Sequence, residues 1–314
     1  MTNRKIVIGS RGSELALWQS QWVQRALSAL HSTVEVEIRI IKTKGDKILD
    51  SPLSSIGDKG LFTKELENAL LDGSIDLAVH SLKDVPTVIP DGLRIAAVCE
   101  RENVCDVFIS HPSKGHKRLI DVPRGGIVAT GSLRRRCQVL QLRPDIQIAD
   151  IRGNLGTRIE KLNQSRWDGM ILAKAGIDRL GRSGLIAEVL PAIQFLPAVG
   201  QGALAIESRS NDETVLPLVF GLDHTASHQA TSGERAVLRR LEGGCQIPIG
   251  AYGRIENGEL LIDAIVGSLD GTRAVRSSIR GIPDQSEQLG TTLAQDLLAR
   301  GADKILEEIR RGTA

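Results

Sequence analysis

The sequence predicts an α/β protein of two lobes with a double connection, followed by a small α+β domain built on a three-stranded antiparallel sheet. Three observations carry this. From Lys5 to about Glu207, short apolar runs alternate with stretches of helical period, the pattern of a largely parallel sheet covered by helices. The same style restarts after Cys99, and the chain crosses over near Leu196–Gly202, so that Ala203–Glu207 rejoins the first lobe. Beyond residue 241, alternating segments meet at Asn257-Gly258 and Asp270-Gly271, both hairpin signals. At 314 residues the chain exceeds one ordinary core. The expected division is 1–100 with 198–220 as the first lobe, 101–197 as the second, and 221–314 as the C-terminal domain.

Taken in order, Lys5–Ile8 is a short apolar strand leading into Gly9-Ser10-Arg11-Gly12-Ser13. Ser13 is a good N-cap for a helix with Leu15, Trp18, Trp22, Ala26 and Leu30 on one stripe. Val34, Val36, Ile38 and Ile40 alternate with charged residues, the period of a strand. Gly57-Asp58-Lys59-Gly60 opens a helix with Phe62, Leu66, Ala69 and Leu70 inward, closed near Gly73. Ile75–Val79 is a strand ending at His80-Ser81-Leu82-Lys83-Asp84-Val85-Pro86. In the second lobe Ile127–Ala129 is the first clear strand, followed by Gly131-Ser132 and a helix that starts Leu133-Arg134-Arg135-Arg136. Ile146–Ala149 leads to Arg152-Gly153-Asn154 and a helix from Thr157, and Gly169–Ala173 leads toward Arg179. A helix over about Ala226–Leu241, strands near Ala251–Ile255, Leu260–Val266 and Arg273–Arg280, and helices at Ser286–Arg300 and Ala302–Arg310 complete the chain.

Composition excludes several function classes. Aromatic residues make up 3%, too few for base-stacking platforms, and the net charge of +2 gives no general polyanion-binding surface. No nucleic-acid or membrane partner is expected. Cys99, Cys105, Cys137 and Cys245 show no metal-ligand spacing, so no metal site is expected. No basic-and-apolar leader precedes Lys5 and no apolar run reaches membrane-spanning length, which together suggest a cytoplasmic protein with reduced thiols.

Two features point to chemistry. Cys245 follows Gly243-Gly244 just past a helix that ends in Arg239 and Arg240, an open loop that suits a thiol carrying a covalent group. The alternative is that a lone loop cysteine is more often an accident than a nucleophile. Ligands of open α/β sheets bind at strand carboxyl ends, where helix N-termini point. Arg11, Ser13, Lys83, Asp84, Ser132, Arg134, Arg135, Arg152 and Arg158 all fall there. Arginines in a helix's first turn oppose its dipole, so Arg134 and Arg135 read as grips for an anion, against the alternative of surface ion pairs. Arg136 reads as a solvated residue. Asp84 would stabilise a cation or move a proton, against the alternative of a cap on the next segment. His80 reads as a packed core histidine.

Six segments in one order resemble the porphobilinogen deaminase family. They are Gly57–Leu66, Ala78–Pro86, Gly131–Arg135, Ile151–Asn154, Leu196–Gly202 and Leu241–Gly250. The resemblance implies two lobes similar to periplasmic binding proteins plus the third domain, and a dipyrromethane cofactor joined by thioether to Cys245. It implies a transferase that condenses four porphobilinogen molecules head to tail, losing ammonia each time, and releases the linear tetrapyrrole hydroxymethylbilane. The family's catalytic aspartate falls on Asp84. Its carboxylate-binding residues fall on Lys83, Ser132, Arg134 and Arg135, toward the cofactor, and on Arg11, Ser13, Arg152, Arg158 and Arg179, toward substrate. The resemblance also implies that Lys59 and Phe62 lie in a mobile loop that closes over the site. A monomer is expected. Two positions depart from the family pattern: Glu14 replaces a common proline, and Val104-Cys105 replaces a Pro-Arg pair. A non-catalytic two-lobed anion-binding or effector-sensing protein is the alternative, and it would need neither the third domain nor Cys245.

Overall fold

A computed structural model describes residues 4–47, 60–241 and 247–312. The elements run β1 (Arg4–Ser10), α1 (Glu14–Leu30), β2 (Val34–Ile40), α2 (Lys44–Lys47), α3 (Lys64–Leu71), β3 (Leu77–Ser81) and β4 (Leu93–Val98). Next come β5 (Asp106–Ser110), β6 (Ile127–Ala129), α4 (Leu133–Leu142), β7 (Gln147–Ala149), α5 (Leu155–Gln164), β8 (Gly169–Ala173), α6 (Lys174–Arg179) and β9 (Glu188–Leu190). Then follow β10 (Leu204–Arg209), α7 (Leu216–Phe220) and α8 (Thr225–Arg240). The last elements are β11 (Ile249–Glu256), β12 (Glu259–Gly267), β13 (Ala274–Gly281), α9 (Ser286–Leu297) and α10 (Asp303–Gly312). Two compact units emerge, 1–102 with 202–228, and 103–201 with 229–314.

The first unit holds a five-stranded sheet of order β2-β1-β3-β10-β4. β2, β1 and β3 are parallel, while β10 runs antiparallel to β3 and β4. The sheet is therefore mixed rather than largely parallel. A strand that returns from a distant segment arrives without its own crossover helix, so nothing obliges it to run parallel. One face packs α1 and α7 around Ile6, Ile8, Val23, Leu27, Ile206 and Val219; the other packs α3 through Leu66, Ala69 and Leu70.

Ser13 caps α1 as its position predicts, its Oγ accepting from Ala16 N at 3.4 Å. The buried stripe is offset from the expected one: Ala16, Gln19, Ser20, Val23 and Leu27 face in, and Leu30 is exposed. The cause is Gln19, whose buried amide donates to Ser81 Oγ at 2.8 Å and so belongs to the inner face. α3 begins at Lys64, which leaves Phe62 ahead of the helix rather than on it.

In the second unit a sheet of order β7-β6-β8-β5-β9 repeats the same plan, with β7, β6 and β8 parallel and β5 antiparallel to both its neighbours. The first strand here is β5, which the sequence reading passed over in favour of Ile127–Ala129. α5 starts at Leu155, two residues before the expected Thr157, because Asn154 caps it by accepting from Thr157 N at 3.0 Å.

The C-terminal sheet runs β11-β12-β13 and is antiparallel throughout. Asn257 (φ 53°) and Gly258 (φ 81°) make the two-residue hairpin that their identities predict. Asp270-Gly271 behaves differently, lying within the longer connection from Gly267 to Ala274, where Asp270 accepts from Ser268 Oγ and Thr272 N. Val237, Leu260, Ile262, Leu293, Leu297 and Leu306 form the core. Gly290 meets the Gly233 carbonyl so closely that a Cβ would not fit, which lets α9 cross α8. No described helix is long and apolar enough to cross a membrane.

Candidate active site

At the carboxyl end of β1 the chain turns through Arg11 into the capped start of α1, and at the end of β3 it enters a single 3₁₀ turn, Leu82–Asp84. Both ends open on one cleft, whose polar lining is Arg11, Ser13, Gln19, Thr63, His80, Ser81 and Asp84. Phe62 closes another side, and its ring lies 4.2 Å from the Arg11 guanidinium carbon, a cation–π contact. Asp84 is exposed, on a turn pinned by Val85 N donating to Leu82 O and by Leu82 N donating to Ala203 O. Four of the expected residues, Arg11, Ser13, Phe62 and Asp84, thus meet in one place. Lys83 is half-buried in the same turn.

The cleft pairs a cation and a helix N-terminus with a carboxylate. The first two suit an anionic substituent, and the third suits a centre that becomes positive. Gln19, Ser81, Thr63 and His80 also line it and were not foreseen. Their signals were faint: a glutamine within an apolar helical stripe, and a histidine at the end of an apolar strand. His80 is buried, as expected, and its Nε2 lies 3.0 Å from Glu207 Oε2.

In the second unit Ser132 caps α4, its Oγ accepting from Arg135 N at 3.4 Å. The next two arginines are buried, with Arg134 at 4% and Arg135 at 6% exposure. Both turn onto Asp106 at the head of β5. Arg134 Nη1 lies 2.7 Å from Asp106 Oδ2, and Arg135 reaches Oδ1 through Nη2 at 2.7 Å and Nε at 3.1 Å. Gln201 Nε2 donates to the same Oδ1 at 2.9 Å, and the Leu196 and Ile171 carbonyls accept from Arg134 and Arg135. Burial opposes ionisation of Asp106, but the two guanidiniums outweigh it and hold the carboxyl well below the usual range. The cations at this helix start therefore have a counter-charge inside the protein, a buried pairing with Asp106 rather than the surface ion pairs of the alternative reading. Arg136 is exposed and donates from Nε to Leu269 O.

Arg152 and Arg158 flank the start of α5. Arg158 Nε donates to Gly153 O at 2.8 Å, and Arg152 Nε stands 3.7 Å from Asp150 Oδ2. Arg179 is half-buried as the last residue of α6. Lys59 and Cys245 lie outside the described residues. Among the described residues no three His, Cys, Asp or Glu side chains are grouped as a metal ion would require.

Two family models match the chain. That of the porphobilinogen deaminase dipyrromethane cofactor-binding domain covers residues 6–217, and that of the porphobilinogen deaminase C-terminal domain covers 229–299. A porphobilinogen deaminase of Carboxydothermus hydrogenoformans is 51% identical over 98% of this chain and 98% of its own. Those of Desulforamulus reducens and Chlorobium phaeobacteroides are each 50% identical over 98% of this chain and 99% of theirs. Among solved structures, a Salmonella typhimurium periplasmic binding protein specific for arginine aligns at a TM-score of 0.39 and 12% identity, over 73% of this chain and 94% of that one. The chain belongs to the porphobilinogen deaminase family.

Proposed function

We propose that the chain condenses four porphobilinogen molecules head to tail on a dipyrromethane primer held by thioether to Cys245, losing ammonia at each addition, and releases hydroxymethylbilane. Membership of the family makes it a transferase of tetrapyrrole synthesis with a dipyrromethane cofactor. The alternative of a non-catalytic anion-binding protein is not favoured. The observation that carries the site assignment is the cleft that sets Arg11 and Ser13 beside Asp84.

The residues present suit a cofactor that bears carboxylates. Two guanidiniums against the single carboxylate of Asp106 leave one positive charge over, and Arg134 Nε is buried without a hydrogen-bond partner. Arg134, Arg135, Ser132 and Lys83 would hold the cofactor's carboxylates, and Cys245 would tether it. When bound, the dipyrromethane supplies the ring carbon from which the chain grows. Arg11 and Ser13, with Arg152, Arg158, Arg179, Lys59 and Phe62, would orient the acetate and propionate groups of substrate. Asp84 would sit beside the carbon that turns cationic as ammonia leaves and stabilise it electrostatically. We further read the chain as three domains (1–100 with 198–220, 101–197 and 221–314) in a cytoplasmic monomer.

Intact mass tests the tether. The purified protein is expected to exceed its 33.9 kDa chain mass by one dipyrromethane, and Cys245→Ser to fold at bare chain mass without activity. A Cys245→Ser protein that still carried the dipyrrole would overturn the assignment.

A further inference from the structure

Behind the cleft, on the face of the first sheet that α3 covers, three ionisable side chains meet away from water. Glu207 on β10 is fully buried, His80 on β3 is 5% exposed, and Glu67 on α3 is 7% exposed. His80 Nε2 holds Glu207 Oε2 at 3.0 Å. Oε1 of Glu207, Oε1 of Glu67 and the Thr63 hydroxyl are all buried without a well-aligned hydrogen-bond partner in the protein. Two carboxylates beside one imidazole cannot both ionise without leaving an uncompensated buried charge, so this packing favours one carboxyl in its protonated form. Burial first, and then the charge of Glu207, push the Glu67 carboxyl up; Thr63, His80 and Lys64 pull the other way and do not prevail. His80 and Thr63 line the cleft together with Asp84.

We propose that Glu67, Glu207 and His80 form a buried proton store beneath the cleft, reaching the substrate's amine through His80 and Thr63. The proposal rests on the functional reading above. Ammonia leaves only from a protonated amine, so an amine bound in the neutral form must first take up a proton. The store protonates it; the carbon–nitrogen bond then breaks with its electron pair going to nitrogen, so ammonia departs and the carbon is left cationic. The proton set free when the new carbon–carbon bond replaces a ring hydrogen refills the store, and no proton is gained or lost over the cycle. Asp84 keeps its electrostatic role throughout. His80 is here the relay that connects the buried carboxyls to the cleft.

The test uses holoenzyme with isotope-labelled glutamate carboxyls. Infrared spectra near neutral pH are expected to show the carbonyl stretch of a protonated buried carboxyl, absent from Glu67→Gln. The alkaline limb of the kcat–pH profile is expected to move by about one pH unit or more in Glu67→Gln and in His80→Gln. At alkaline pH kcat should fall on the order of tenfold or more, with KM nearly unchanged. A purely structural role would lower stability or cofactor occupancy and leave that limb in place. Absence of the band in the unsubstituted enzyme overturns the proposal even if a variant fails to fold, as does an unshifted limb in both folded variants. Failure of the functional reading looks different: the unsubstituted protein would release no ammonia from porphobilinogen, whatever its infrared spectrum.

Discussion

Asp106 neutralises one of the two guanidiniums it touches, and this makes it one of the carboxylates through which the protein answers to acid. Its folded pKa lies below the value of about 3.9 for a free Asp, so the stability it contributes is present above that pH and is lost as the pH falls through and below it. Glu67 has the opposite sign. Its pKa is raised, so stability is greatest below about 4.3 and is lost as pH rises toward the folded value. Asp106→Asn would leave Arg134 and Arg135 buried against a neutral group, and thermal melts should show a loss of about 3–5 kcal/mol. Melts of Glu67→Gln across neutral pH should instead show a variant that gains on the parent as the pH rises. At Asp84 the expectation concerns rate. Asp84→Asn should keep KM close to normal and lower kcat severely, because the charge acts in the transition state. Near-normal kcat with a raised KM would make Asp84 a binding residue instead.

The start of α4 concentrates the assignments that concern the cofactor. Arg134→Leu or Arg135→Leu should give mainly cofactor-free protein with a lower melting temperature, since each removes a charge-assisted contact of about 1.5–3 kcal/mol. Arg11→Leu, at the start of α1, should keep the cofactor and impair turnover. Mass spectra and melts of the three variants decide between these roles, and full occupancy in both helix-start variants would show that those arginines serve another ligand. Much of this element-level layout was legible: Ser13, Ser132 and Asn257-Gly258 each announce a cap or a turn through their own side-chain or backbone chemistry. What stayed hidden was long-range pairing. Nothing local to Arg134 reveals that its partner is Asp106, and nothing near Gln19 announces Ser81, 62 residues away.

Across the whole molecule, the two five-stranded sheets share one plan and differ in when their antiparallel strand is made. In the second sheet β5 comes first in sequence; in the first sheet β10 comes last. The return of Ala203–Glu207 to the first sheet was readable as a buried strand with no local partner. β5 was missed because its polar first residue, Asp106, and the Val104-Cys105 lead-in disguise an apolar run whose partners, β8 and β9, lie far downstream. Strand-end position pointed to Arg11, Ser13 and Asp84, and the family resemblance to these and Phe62; all four line one cleft. The buried network of Glu67, His80 and Glu207 carries no motif, because only the fold brings it together.

The position of β10 between β3 and β4 has a consequence for biosynthesis. Roughly a hundred residues separate the end of β4 from the start of β10. At ~5–20 residues per second, a nascent chain exposes the facing edges of β3 and β4 for about 5–20 s before the strand that fills the gap is made. During that interval both edges are open to any extended segment, and the second sheet's β5, which is synthesised immediately afterwards, is the nearest candidate. Slow translation between Val98 and Leu204 should therefore raise the yield of aggregated chain, and ribosome-bound chains halted before Leu204 should be protease-sensitive throughout β3 and β4. Protection that appears only once β10 has left the ribosome would mark the closing of the first sheet as a late event in the life of the nascent chain.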